Sequence, residues 1–132
     1  MEKFVFIPLE SIGGIRFSAK REDVRKEFGK YTEFKKNKFS KNTTDDFGFC
    51  HVFYDSDDLC EAVEFFNDVA IIYDESNISN SSYGDIKNFL SEKDSALEID
   101  DDGIVSKNCG ISVYAPDKTV ESILVFRKGY YD

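Results

Sequence analysis

The side chains that could do chemistry in this chain are few and poorly grouped. His51 is the one histidine. On a strand spanning Phe49–Tyr54 it shares a face with Phe49 and Phe53 and has Cys50 on the opposite face, so no metal set assembles around it. It reads as a half-buried structural residue. Asp100-Asp101-Asp102-Gly103 has the oxygen ligands calcium favours but lacks both the alternating D-x-D-x-D-G spacing and the distal Glu of a calcium loop, and it reads as a solvated hairpin tip. A serine nucleophile needs a base, and there is no G-x-S-x-G elbow to pair with the lone histidine. Gly13-Gly14 is not followed by the Lys-Ser/Thr of a phosphate loop. Asp55, Asp57 and Asp58 are close in sequence, but a turn supplies no apolar shell to raise a carboxyl pKa. Cys50, Cys60 and Cys109 are odd in number and lack C-x-x-C spacing, which fits reduced, small apolar strand residues. The expectation is therefore no catalytic residue, no metal and no cofactor, in a protein that is not an enzyme.

Phe4–Ile7 is a short apolar run stopped by Pro8, read as a strand. Ser18 is a candidate N-cap for a helix over Ala19–Phe28, with Val24 and Phe28 inward and Gly29 as the stop. Thr32–Lys36 reads as a strand and the polar Asn37–Asp46 as a loop. Phe49–Tyr54 and Leu59–Phe66 flank Asp55-Ser56-Asp57-Asp58 as a hairpin. Val69–Tyr73 reads as a buried strand and Ser76–Ser82 as a loop. That loop ends in an N-cap for a helix over Tyr83–Leu90, with Ile86, Phe89 and Leu90 inward. Ala96–Ile99 with Ile104–Ser106, and Ile111–Ala115 with Thr119–Phe126, form two more hairpins.

These elements recur. YDSDDLCEAVEFF (Tyr54–Phe66) parallels YAPDKTVESILVF (Tyr114–Phe126) at an offset of 60, FVFIPLES parallels VAIIYDES at 65, and REDVRKEF parallels YGDIKNFL at 62. Three blocks in one order argue for a duplicated unit of about sixty residues, a design that builds scaffolds more often than asymmetric active sites. The expected architecture is α+β: residues 1–132 as a single domain, with pseudo-repeats at 4–66 and 69–126. Each repeat has a helix plus antiparallel strands, and the helices pack on one face of an antiparallel sheet.

Composition limits the partners. The chain has 132 residues, 13 Phe and no Trp, and a net charge of −9. Residues 1–47 hold 11 Lys+Arg and 8 Asp+Glu, a net +3, whereas residues 48–132 hold 6 and 18, a net −12. The acidic part repels nucleic acid and anionic membrane and attracts basic proteins. The basic run Lys35–Lys41, interleaved with Phe34 and Phe39, has the residue types that contact nucleic acid, but the whole-chain field opposes that role, so neither nucleic acid nor membrane is an expected partner. No segment reaches the ~18 apolar residues of a membrane helix. The short apolar stretch after Met1 falls below that of a signal peptide, which makes the cytoplasm the expected location.

IRFSAKREDVRKEFG (Ile15–Gly29) resembles the helix start found in β-lactamase-inhibitor-protein-like and outer-membrane-assembly-lipoprotein domains, which are built from tandem helix-and-sheet units. In character the whole chain resembles the small acidic immunity proteins of bacterial contact-dependent and polymorphic toxin systems. That resemblance implies a cytoplasmic, non-catalytic protein that binds and neutralises a cognate toxin domain, a basic nuclease for choice, by covering its active site. The expected contacts are Asp55, Asp57, Asp58, Asp74, Glu75, Asp100, Asp101 and Asp102, with Tyr54, Tyr73, Tyr130 and Tyr131 as aromatic anchors. The alternative is a small-ligand or regulatory module with a phenylalanine-lined pocket between helix and sheet.

Overall fold

A computed structural model describes residues 2–40, 42–66 and 69–131. Lys41 of the expected basic loop and Asp132 of the tail lie outside the described residues. The architecture is mixed α+β and mostly strand, with two helices, a five-stranded sheet and an eight-stranded sheet. The first part runs β1 (Glu2–Ile7), β2 (Ser11–Ile12), β3 (Ile15–Arg16), α1 (Arg21–Phe28), β4 (Thr32–Phe34), β5 (Thr44–Asp46), β6 (Cys50–Tyr54) and β7 (Cys60–Phe65). The second runs β8 (Val69–Tyr73), β9 (Ser76–Asn77), a 3-10 turn (Ile78–Asn80), α2 (Tyr83–Lys93), β10 (Glu98–Asp100), β11 (Gly103–Ser106), β12 (Ile111–Tyr114) and β13 (Ser122–Phe126).

The small sheet is ordered β3-β2-β1-β8-β9, and β1 and β8 pair in parallel. This parallel pair departs from the all-antiparallel expectation. The large sheet is antiparallel throughout and ordered β10-β11-β12-β13-β7-β6-β5-β4. Its central ladder sets Val63 across from Val125 and Phe65 across from Ile123. Counting outward from it, Val63 pairs Val52, which pairs Asp45; on the other side Ile123 pairs Val113, which pairs Ile104. All six face one buried surface. The core between the sheets is aromatic: Phe4 lies 5.1 Å from Phe65 and 5.3 Å from Phe49, and Phe28 stands edge-on to Phe4 at 5.8 Å. Burying such rings supplies most of the driving force for closing the two sheets together.

Helix α2 starts as expected. The Ser82 hydroxyl accepts from the Asp85 amide at 3.1 Å, satisfying one of the free N–H groups of the first turn. The helix continues to Lys93 because no glycine or proline intervenes. Ile86 and Leu90 are buried and Phe89 is half-buried. Helix α1 departs from expectation. Ser18 is not its cap: that residue has φ 73°, the helix begins at Arg21, and Lys20 occupies the cap position without a side-chain hydrogen bond. The Ser18 hydroxyl instead accepts from Arg127 at 3.2 Å. Residues read as loop also become strand: Thr44–Asp46 form β5, with Thr44 and Asp45 buried, and Ser76–Asn77 form β9. Phe49 precedes β6 and turns into the core, so it does not share the face of His51. On the opposite face of the large sheet His51 is half-buried between Phe34 (4.9 Å) and Phe66 (4.7 Å), 3.7 Å from an Asp46 carboxylate oxygen. Gly103 is required where it is, because a Cβ there would collide with the Val113 carbonyl oxygen.

Candidate partner-binding surface

At one end of the large sheet two loops meet. The Asp100 carboxylate accepts from the amides of Asp102 (2.8 Å) and Gly103 (3.0 Å), which fixes the β10–β11 turn by the residue's own side chain. The Ala115 amide donates to the Asp102 carbonyl at 2.7 Å and ties this turn to the loop between β12 and β13. Asp100, Asp101 and Asp102 are thereby exposed beside Asp117 and Glu121 of that second loop. Tyr114, 48% exposed, stands among them, paired across strands with Gly103 and Ser122. One step beyond the Phe65–Ile123 pair, the same register sets half-exposed Phe66 opposite Ser122. The Ser122 hydroxyl is held by the Glu64 carboxylate at 2.9 Å. The result is an acidic rim around exposed aromatic area. Lys118 is the cation within it, and its ammonium lies over the Tyr83 ring.

The other expected contacts do not join this patch. Strand β6 runs toward its turn at Asp55–Asp58, whereas β11 runs the same way but away from the turn at Asp100–Asp102, so the two acidic tips sit at opposite ends of the sheet. At the Asp55 end much of the charge is used internally. Burial pulls the Asp55 carboxyl up, but hydrogen bonds from the Leu59 amide, Arg127 and the Asp57 amide outweigh it and hold the group below its ordinary value. Arg127 also closes an ion pair with Asp55 at 2.8 Å. The Asp58 carboxyl is lowered by a hydrogen bond from Arg21, 3.0 Å away, against a smaller opposing effect of burial. Asp57 is exposed. Asp74 and Glu75 form the β8–β9 turn, both at positive φ (51° and 68°), and Asp74 pairs with Lys93 at 2.6 Å.

Two of the four expected aromatic anchors are corrected by burial. Tyr54 and Tyr73 both lie in the core, where no docking partner reaches their rings. Tyr73 packs edge-on to Phe6 and Phe89, and Tyr54 is drawn inward by a buried carboxylate described below. Tyr130 is half-buried against Phe126 at 5.5 Å, and Tyr131 is 42% exposed.

Sequence reasoning missed a buried charged group, Asp45 with Arg21 and Arg25. Asp45 is fully buried and accepts four hydrogen bonds. Arg25 reaches it twice, through Nε (2.9 Å) and Nη2 (2.8 Å), Arg21 through Nη1 (3.0 Å), and the Tyr54 hydroxyl donates at 2.9 Å. Arg21 stacks on the Tyr54 ring at 4.0 Å and Arg25 on the Tyr31 ring at 3.9 Å. Glu33 pairs with Arg25 at 2.9 Å. The hydrogen bond to Asp45 raises the Arg25 pKa well above its ordinary value, overriding burial, while burial and the same carboxylate push the Tyr54 phenol up. The available signal was the Arg21/Arg25 pair, four residues apart on one helix face. Alongside lies an open cleft of about 680 Å³ lined by Lys20, Arg21, Arg25, Tyr31, Asp58 and Leu59 among others.

Among the described residues no group of three or more His, Cys, Asp or Glu side chains is placed to hold a metal, and no helix is long and apolar enough to cross a membrane. No protein-family description, curated protein or solved structure matches the chain.

Proposed function

We propose that this protein is an acidic, non-catalytic immunity protein that binds a cognate bacterial toxin domain, a basic nuclease for choice, and neutralises it by covering the active site. The observation that carries this reading is the end of the sheet where Asp100, Asp101, Asp102, Asp117 and Glu121 surround exposed Tyr114. A toxin that binds phosphates presents cations. An acidic rim steers such a surface in quickly, and a central aromatic side chain then supplies contact area that slows release. Location in the cytoplasm suits three cysteines that are all free and buried.

The scaffold fits a duplicated unit. Strand order in the large sheet runs outward from β7 and β13 in matching steps, and β1 and β8 occupy matching places in the small sheet. The offset of 60 places Glu64 and Leu124, which face each other, on the axis relating the halves. The ladder also equates His51, opposite Glu64, with Ser112, opposite Leu124, one residue away from the simple offset; a bulge at Phe53/Tyr54 absorbs the difference. In this reading both helices cover the same face of the large sheet, and Asp45 and Ile104 are counterparts.

The test is co-expression with the variable C-terminal domain encoded by the neighbouring gene. Wild-type protein should rescue growth, Y114A should speed dissociation of the purified complex, and D101K/D102K should slow association more than it changes dissociation. Growth unaffected by co-expression removes the proposal. The cleft of about 680 Å³ beside α1 favours a second reading, a small-ligand module, in which case native mass spectrometry of the freshly purified protein would show a bound molecule.

A further inference from the structure

We propose that copies of this chain associate head to tail, with the β4 edge of one copy pairing with the β10 edge of the next. These strands end the large sheet, and among the described residues each has a single neighbouring strand. Unpaired edges present rows of backbone donors and acceptors that a further strand can satisfy. Eight antiparallel strands place the first and last in opposite directions. A copy displaced sideways therefore brings its β4 antiparallel to β10, with the same faces aligned.

Charge selects this arrangement over a symmetric one. Lys30, Lys35, Lys36 and Lys38 flank β4, all exposed, and the one acid on that strand, Glu33, is engaged by Arg25. Around β10 stand Asp100, Asp101 and Asp102, with Glu98 paired to Lys107 at 3.5 Å, all exposed. A twofold contact would set lysines against lysines or carboxylates against carboxylates, whereas the antiparallel head-to-tail contact sets Lys30 beside Asp100–Asp102 and Lys35 and Lys36 at the Glu98 end. Shape agrees. Beside β10 lies a groove of about 330 Å³ lined by Glu98, Ile99, Val105, Lys107 and Tyr131 among others. Antiparallel pairing brings the exposed Phe34 of the incoming copy to that end of β10, with Phe39, 80% exposed, just beyond it. Such a contact leaves one free edge of each kind at the ends, so it propagates into open chains. It shares Asp100–Asp102 with the proposed toxin-docking end, and a bound partner would compete with it. Its test uses the protein alone, so its failure leaves the toxin reading standing.

Sedimentation velocity on the full chain decides it. At about 0.1 M salt the mass should rise with concentration beyond a dimer, and at about 1 M, where the Debye length has fallen from about 10 to about 3 Å, it should return to the monomer. K30Q/K35Q/K36Q/K38Q and D100N/D101N/D102N should each weaken association by about tenfold, with circular dichroism confirming the fold. An equal mixture of the two retains one intact edge pair per couple and should stop at a dimer. Wild-type protein that stays monomeric at low salt, a mass that ignores salt, or a closed dimer that neither variant weakens overturns the proposal.

Discussion

Replacing Asp45 with Asn tests whether the buried charged group on β5 stabilises the fold. The carboxylate accepts from Arg25 twice, Arg21 once and Tyr54 once. Asparagine keeps the shape but offers one oxygen in place of two. Its NH₂ then faces donors, either Arg25 Nε and the Tyr54 hydroxyl or the two Nη groups. Two guanidiniums also lose their shared counter-charge. Removing one partner of a buried ion pair costs about 3–5 kcal/mol. Here Arg25 keeps Glu33 at 2.9 Å and Arg21 keeps Asp58 at 3.0 Å, and both arginines retain some solvent contact. The expected loss is therefore about 2–3 kcal/mol. Urea unfolding followed by circular dichroism should show the midpoint fall with an unchanged slope. In the proposed duplication the counterpart positions are Tyr83, Lys87 and Ile104, where buried Tyr and Ile stand in place of Arg21 and Asp45. The variant R21Y/R25K/D45I should therefore recover at least half of the loss, as expected when a whole buried ion pair gives way to packed apolar groups. A D45N protein within about 0.5 kcal/mol of wild type would refute the reasoning.

Acid stability follows from Asp94, which caps the end of α2. Burial pulls its carboxyl up, but hydrogen bonds from Ser106, Asn108 and the Ala96 amide outweigh this and leave it lowered, as Asp55 and Asp58 also are. A carboxyl lowered on folding contributes stability above its unfolded value, about 4, and loses it as pH falls below that. Unfolding midpoints should therefore drop between about pH 4 and pH 2, and D94N should lower stability at neutral pH and flatten the acid limb. Burial pushes Cys60 up to about 12 and Cys50 higher still. Native protein should consequently resist a thiol reagent at pH 8 and react at all three cysteines in urea; rapid modification of the folded protein would contradict the packing.

The hairpins were legible because their signals are local. Alternation in Cys50–Tyr54 and Cys60–Phe65 around an Asp-rich turn, and Ser82 three residues before Asp85, specify strand, turn and helix start by short-range sterics and hydrogen bonding. The exposed Asp100–Asp102 tip was equally readable. Strand β5 was not. Thr44-Asp45-Asp46 carries loop chemistry, and it becomes a strand because Arg21 and Arg25, twenty or more residues away, neutralise Asp45 inside the core. Tyr54 and Tyr114 looked equivalent at the simple offset, yet one is buried and the other exposed: the ladder pairs Phe53 with Ala62 and Tyr114 with Ser122, so Tyr114 stands where Phe53 does, and Tyr54 continues the inward alternation of Cys50 and Val52.

Sequence alone determined the polarised charge, the recurring blocks, most of the strands and the acid-rich turns, all properties of neighbouring residues. Tertiary structure alone decided which turns share an end of the sheet, which carboxylates are neutralised by distant arginines, and which tyrosines meet solvent. Those depend on strand direction and long-range pairing, and each is fixed only when segments far apart in the chain are brought into register.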